Sequence, residues 1–240
     1  MTNSAVALVT GANKGIGREI ARGLAQLGLT VLASSRDEQR GERAVAELAA
    51  EGLDVRPLRL DVTDEQSVAA AARRISDEFG RLDVLVNNAG ITVDRSTTPS
   101  TTTTDAMRTV YETNVFGVVT VTRAMLPLLR RSPAGRIVNL SSGLGSLERL
   151  LAPDSTLPLF LAYNSSKSAL NAVTVHYARE LRDTPIKVNV CAPGLCATDI
   201  NDHKGDRTAA QGARIAVELA TLDSDGPTAG FFDDHGPVPW

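Results

Sequence analysis

The chain has 240 residues, a formal net charge of −3 at pH 7 and 42% hydrophobic residues. That length and apolar content suit one α/β domain with a substantial core, and the mild acidity excludes the broad basic field that nucleic acid or an anionic lipid surface would require. Two cysteines, Cys191 and Cys196, and three scattered histidines make neither a disulfide framework nor a metal-ligand spacing, so free thiols in a reducing cytoplasm and no metal are expected.

Residues 1–12 lack a basic start followed by a long apolar run, and no segment approaches the roughly 20 apolar residues that cross a bilayer. Neither a secretory leader nor a membrane anchor is expected. Short β-branched or apolar runs read as strands at 5–9, 30–34, 54–60, 83–86, 136–140 and 186–191. Helix-period stretches fall between them at 15–28, 38–50, 64–79, about 105–131 and 163–182. A helix near 208–221 and a short strand around 230–232 complete the chain. This alternation predicts a single Rossmann-type, doubly wound parallel sheet of about seven strands with helices on both faces, spanning 1–240. Near-continuous apolar strands agree, because a parallel sheet is buried on both sides.

The stretch VTGANKGIGREI (9–20) follows the first strand and opens a helix. Gly11, Gly15 and Gly17 permit a sharp turn and close backbone approach to a phosphate. Helix-start N–H groups would then hold the negative charge. Asn13, Lys14 and Ile16 complete this candidate phosphate turn.

At the end of the second strand, dinucleotide folds often carry an acidic residue that bonds the ribose of NAD. Here Arg36 occupies that place, with Asp37 one step on and Arg40 one helical turn away. Lys14, Arg36 and Arg40 would converge on a 2′-phosphate through charge-assisted bonds, which favours NADP(H). The ordinary alternative is that Lys14 and Arg40 are solvated surface charges, and Asp37 is the residue that would spoil the preference. Asp61, closing the third strand, would accept from an adenine amino group with Val62 beside the ring. Its alternative is a helix N-cap competing with Thr63 or Asp64. The tract STTPSTTTTD (96–105) reads as a solvated loop with Thr104 or Asp105 as N-cap, or as a flap beside a substrate.

Tyr163 and Lys167 stand four apart and share a helix face. By itself such a pair is common on helix surfaces. Together with NNAG (87–90), Asn114 in NVFG, NLSSG (139–143) and PGLCATD (193–199), in this order, it resembles the short-chain dehydrogenase/reductase family over essentially the whole chain. TGANKGIG, SRDEQRGERAVAEL, LDVLVNNAGI and GFFDDHGPVPW make it most similar to the carbonyl reductase branch, which uses NADPH to reduce ketones, aldehydes and quinones.

The resemblance implies that Ser142 bonds the substrate carbonyl oxygen, Tyr163 is the acid in reduction, and Lys167 holds the nicotinamide ribose and tunes the tyrosine. It implies that Asn114 holds a helix kink and a water. It further implies that Asn88, Ala89 and Gly90 line the adenosine-side ribose and phosphates, and that Pro193, Gly194 and Thr198 flank the nicotinamide. Independent chemistry agrees. Hydride arriving at a carbonyl carbon leaves an alkoxide that needs an acid within reach, and a nearby ammonium lowers a phenol's pKa. Ser141 is the near alternative to Ser142 and is expected to face backbone.

Ser142 and Tyr163 are 21 positions apart, wider than the commonest family spacing. The extra segment, 143–162, would wall a pocket with Leu144, Leu147, Leu157 and Phe160, or pack them on the body. In related reductases an insertion here obstructs tetramer assembly, so a monomer is expected. His203 is read as facing substrate or solvent, and Trp240 as packing back onto the body. The substrate implied is a small carbonyl compound. The rival readings are a tailoring ketoreductase or alcohol dehydrogenase of secondary metabolism, and a catalytically silent NADP-binding regulator.

Overall fold

In a computed structural model, residues 4–240 are described. The first three positions of the 1–12 stretch lie outside the described residues. Val6–Val9 (β1), Thr30–Ser35 (β2) and Val84–Asn87 (β4) are buried along their whole length, as strands covered on both faces must be. Val55–Arg59 (β3), Arg136–Leu140 (β5), Lys187–Cys191 (β6), Phe231–Asp233 (β7) and Gly236–Pro237 (β8) complete one sheet in the order β3-β2-β1-β4-β5-β6-β7-β8. Every neighbouring pair is parallel except β7 and β8. β8 is the strand missing from the expected set. It is two residues long, too short to show any periodicity.

The side-chain period of two sorts the strands between two cores. Ala7 and Val9 face Gly15–Gln26 (α1), Glu38–Ala50 (α2) and Ala209–Ala220 (α8), where Ile20, Leu24, Leu48 and Ile215 are buried. Val6 and Leu8 face Glu65–Phe79 (α3) and Gly117–Leu129 (α5), where Ile75, Met125 and Leu129 are buried. Leu161–Glu180 (α7) lies on this second side and adds Ala178. Since β1 pairs with both β2 and β4, the chain order reverses there. Such a switch point opens a crevice at the strands' C-terminal ends, where α/β sheets bind ligands.

The helix expected over 105–131 is broken. Thr104–Tyr111 (α4) runs into a π-helical turn, Glu112–Phe116, before α5. A side chain at Gly117 would meet Val62 Cγ2 at 2.9 Å, so the chain at this junction lies against the end of the third strand. The N-cap is Thr103 rather than Thr104 or Asp105, its hydroxyl accepting from Ala106 N at 3.2 Å. Upstream, the threonine tract bonds to itself: Thr98 O accepts from Thr101 N and Thr102 N.

The inserted segment forms a 3-10 turn (Gly143–Gly145) and a short helix, Leu147–Leu151 (α6), capped by Ser146. Helix α7 therefore begins two residues before Tyr163. Leu147 is 56% exposed, whereas Leu144, Leu157 and Phe160 are half-buried. Trp240 stacks near Phe231, with centroids 5.6 Å apart, and its carbonyl accepts from Glu148 N. Among the described residues no helix is long and apolar enough to cross a membrane. Both cysteines are free and buried.

Candidate active site

The phosphate turn owes its shape to glycine and to Asn88. Gly11 and Gly15 have φ of 63° and 56°, the left-handed region that favours glycine. At Gly17 a Cβ would sit 2.4 Å from Asn88 Nδ2 and 2.6 Å from Gly11 O, so only hydrogen fits there. Asn88 Nδ2 donates to Thr10 O (2.7 Å) and Gly11 O (3.1 Å), while Thr10 Oγ1 accepts from the backbone N–H groups of Asn88 and Ala89. The side chain of Asn88 thus shapes the turn itself.

Asp37, Asp64, Thr103 and Thr208 cap α2, α3, α4 and α8 with their own side chains, but Lys14 makes no such bond at the start of α1. Uncapped first-turn N–H groups beside a glycine turn fit a pyrophosphate.

Of the three cations read as converging on a 2′-phosphate, two are already paired. Lys14 Nζ binds Asp199, and Arg40 Nε lies 3.2 Å from Asp37. Arg36 is exposed and has no ion-pair partner among the described residues. Asp37 is occupied as well: Oδ1 accepts from Arg40 N, capping α2. Asp61 Oδ1 accepts from Thr63 N and Oγ1, and the cap of α3 is Asp64.

At the other end of the crevice, Asn114 is fully buried in the π-helical turn. Its Oδ1 accepts from Ile91 N (2.9 Å), and its Nδ2 donates to Ile91 O and Ser166 Oγ (both 3.0 Å). The side chain is therefore a clamp between the loop after β4 and α7. A Cβ on Gly90 would lie 3.4 Å from both Asn114 Oδ1 and Lys167 Nζ, which places these three groups together. Ser142 Oγ accepts from Leu144 N at 3.2 Å, and the Ser142 hydroxyl neighbours the Tyr163 phenol. Ser141, as expected, faces backbone: its hydroxyl donates to Lys167 O.

Lys167 is 4% exposed; Nζ donates to Leu140 O at 2.8 Å and lies 5.6 Å from the Tyr163 ring centroid. Burial pushes the Tyr163 phenol up to about 12, and the Ser142 hydroxyl acts against that rise. Burial pulls the Lys167 ammonium down to about 8, opposed by Cys191. The expected lowering of the phenol is thus outweighed, because desolvation disfavours the charged form of both partners.

After β6, Gly194 has φ of 77° with Arg207 packed over it, and Pro193 O accepts from Cys196 Sγ. Thr198 is buried and approaches the glycine turn: a Cβ on Gly15 would be 3.5 Å from its methyl. Asp199 and His203 Nε2 are 3.1 Å apart, so His203 lies against its own loop.

Sequence reasoning missed Asp94, whose Oδ2 accepts from Ala162 N and Tyr163 N at the start of α7, and Asp199, the partner of Lys14. The cue for Asp94 was available in PLFLAY (158–163), where α7 starts with no Ser, Thr, Asp or Asn as cap. Nothing in the local sequence marked Asp199.

The short chain dehydrogenase family model matches residues 5–209. Short-chain dehydrogenase anuI of Penicillium roqueforti is 40% identical over 90% of this chain and 88% of its own length. Carbonyl reductase [NADPH] 1 of Bos taurus is 34% identical over 100% and 99%. The NADPH-bound carbonyl reductase from chicken fatty liver superposes with a TM-score of 0.85 at 28% identity, covering 99% of both chains. Fold, motif order and these likenesses agree: the chain belongs to the short-chain dehydrogenase/reductase family of oxidoreductases, in its carbonyl reductase-like branch.

Proposed function

We propose that this protein is an NADPH-dependent reductase of ketone, aldehyde or quinone carbonyls, with Tyr163 as the proton donor. The observation that carries the reading is the Tyr163 phenol set beside the Ser142 hydroxyl, with the Lys167 ammonium 5.6 Å from its ring. The nicotinamide cofactor supplies the hydride.

Ser142 orients the carbonyl oxygen, and Tyr163 gives its proton to the alkoxide that forms there. A phenol pushed up to about 12 is protonated at neutral pH, the state a donor needs. Lys167 returns the proton through the water that Asn114 would hold, and holds the ribose.

Gly11, Asn13, Gly15, Ile16 and Gly17 would take the pyrophosphate on uncapped N–H groups. Ala89, Gly90, Asp61 and Val62 would border the adenosine half, and Pro193, Gly194 and Thr198 the nicotinamide half. Arg36, with Lys14 and Arg40 nearby, supports NADP(H), as do the relatives named for NADPH. Two free, buried thiols support work in the cytoplasm.

Turnover of a panel of quinones, aromatic aldehydes and ketoesters with NADPH tests the reading. At least one good substrate is expected, and Tyr163→Phe should lower kcat about 10²–10⁴-fold with NADPH affinity kept. Retained turnover would remove Tyr163 from its role. Tight NADPH binding with no turnover anywhere would favour a silent regulator.

A further inference from the structure

We propose that Asp94 is a positioning residue: it caps α7 from a distant loop and so holds the Tyr163 backbone, and with it the phenol, in place. The inference rests on the role of Tyr163 proposed above. Tyr163 is the third residue of α7, inside the first turn, where N–H groups have no intrahelical partner. No side chain local to α7 caps that turn. Asp94 does so instead, from a position 69 residues upstream. Its side chain is wholly buried, and Oδ2 accepts from Ala162 N at 2.6 Å and Tyr163 N at 3.4 Å. Oδ1 is held by the Thr92 hydroxyl at 3.1 Å, and the Asp94 carbonyl accepts from Thr97 N and Oγ1.

The other side of the same residue is also fixed. Tyr163 O accepts from Ser166 Oγ at 2.7 Å, and Ser166 Oγ accepts from Asn114 Nδ2. Asn114 in turn clamps Ile91, three residues before Asp94. The peptide groups on both sides of Tyr163 are therefore tied to one loop, residues 91–94, which follows directly on NNAG after β4. A buried carboxylate at a helix start is also favoured by the helix dipole. Without it the first turn would fray, and a displacement of about 1 Å at a reacting group costs as much as about 100-fold in rate.

The test compares kcat, carbonyl KM and NADPH Kd across variants. Asp94→Ala should lower kcat about 10- to 100-fold while KM and Kd stay within about threefold. Asp94→Asn keeps an acceptor oxygen and should recover most of that loss. Amide exchange in peptide 158–166 should quicken in Asp94→Ala and not in Asp94→Asn. A folded Asp94→Ala protein with unchanged kcat, or one whose loss lies wholly in NADPH Kd, overturns the proposal. If Asp94→Ala does not fold, Thr92→Val decides, because it loosens the carboxylate without removing it. A kcat several-fold lower at constant Kd supports the role, and an unchanged kcat overturns it. Activity surviving in Tyr163→Phe would instead refute the underlying reading. Tyr163→Phe inactive beside a fully active Asp94→Ala would refute the role of Asp94 alone.

Discussion

Lys14 and Asp199, 185 positions apart, form an ion pair that ties the phosphate turn to the segment following β6. Both side chains are more than half exposed, and Lys14 holds the Asp199 carboxyl below its ordinary range. Thr198, the neighbour of Asp199, lies against Gly15, so the contact closes the candidate crevice on one side.

Removing Asp199 leaves Lys14 free for phosphate. An exposed pair is worth about 0.2–1 kcal/mol, so Asp199→Ala should tighten NADPH binding up to about fivefold at low ionic strength. The gain should vanish in high salt, which screens exposed charges. Fluorescence titration of NADPH at both salt levels checks this. An unchanged or weaker Kd at low salt would mean that the pair does not compete with the cofactor.

Arg36 is the one of the three candidate cations without an ion pair, while Asp37 is occupied as the cap of α2. Arg36→Asp should cut the NADPH/NADH ratio of kcat/KM by about 10- to 100-fold, since hydrogen bonds to charged groups contribute about 1.5–3 kcal/mol. A ratio left where it was would show that Arg36 does not read the 2′-phosphate.

Lys167 offers a test in stability. Its ammonium falls from 10.5 in the unfolded chain to about 8 in the fold, so the unfolded state binds more protons between those values. Its contribution is therefore a penalty below pH 8, on the order of 3 kcal/mol, relieved as pH rises toward 10.5. Lys167→Met deletes the penalty and gives up the ammonium's hydrogen bond to Leu140 O, worth about 1.5–3 kcal/mol for a charged donor. The two nearly cancel at pH 7, so the variant should lose ground in Tm against the parent as pH rises from 8 to 10, where the parent's penalty is relieved. Above pH 10 Tyr163, raised to about 12, destabilises both proteins alike. A Tm difference that does not change between pH 8 and 10 would show that Lys167 carries no desolvation penalty.

The inserted segment is gripped by one face of α7. Asn164 Nδ2 donates to Pro158 O, while Ser168 Oγ and Asn171 Nδ2 both donate to Gly145 O. A Cβ on Gly145 would lie 2.8 Å from Lys167 Cβ, so the turn sits directly on the helix. With α7 covered there, we expect a monomer of 25.4 kDa by light scattering at micromolar concentration. A stable tetramer would refute the obstruction.

Much of this molecule was legible from residue order alone. Short apolar or β-branched runs of four to seven residues marked six of the strands within a residue or two, most clearly in β1, β2, β4 and β5, which are buried along their whole length, and least in β3, where Arg56 and Arg59 are exposed. Gly11 and Gly15 announced a turn that needs left-handed backbone. Ser142, Asn114, Tyr163 and Lys167 were identified by their order among the family's motifs, and the fold brings them together.

Tertiary structure decided the rest. The π-helical turn at Glu112–Phe116 leaves no mark on a 3.6-residue period; the family resemblance implied only a kink at Asn114, and its form is set where Asn114 clamps Ile91 and where Gly117 meets Val62. The partners of Lys14 and of Tyr163 N are carboxyl groups 185 and 69 positions away, beyond any spacing rule. The direction of the Tyr163 shift also waited on packing. A lysine four residues along predicts a lower pKa, but the sign belongs to the larger effect, and desolvation is set by everything the fold places around the phenol. Local order determines which groups are present and how each element is shaped. Burial and long-range pairing, which set their protonation and position, arise only when the elements pack.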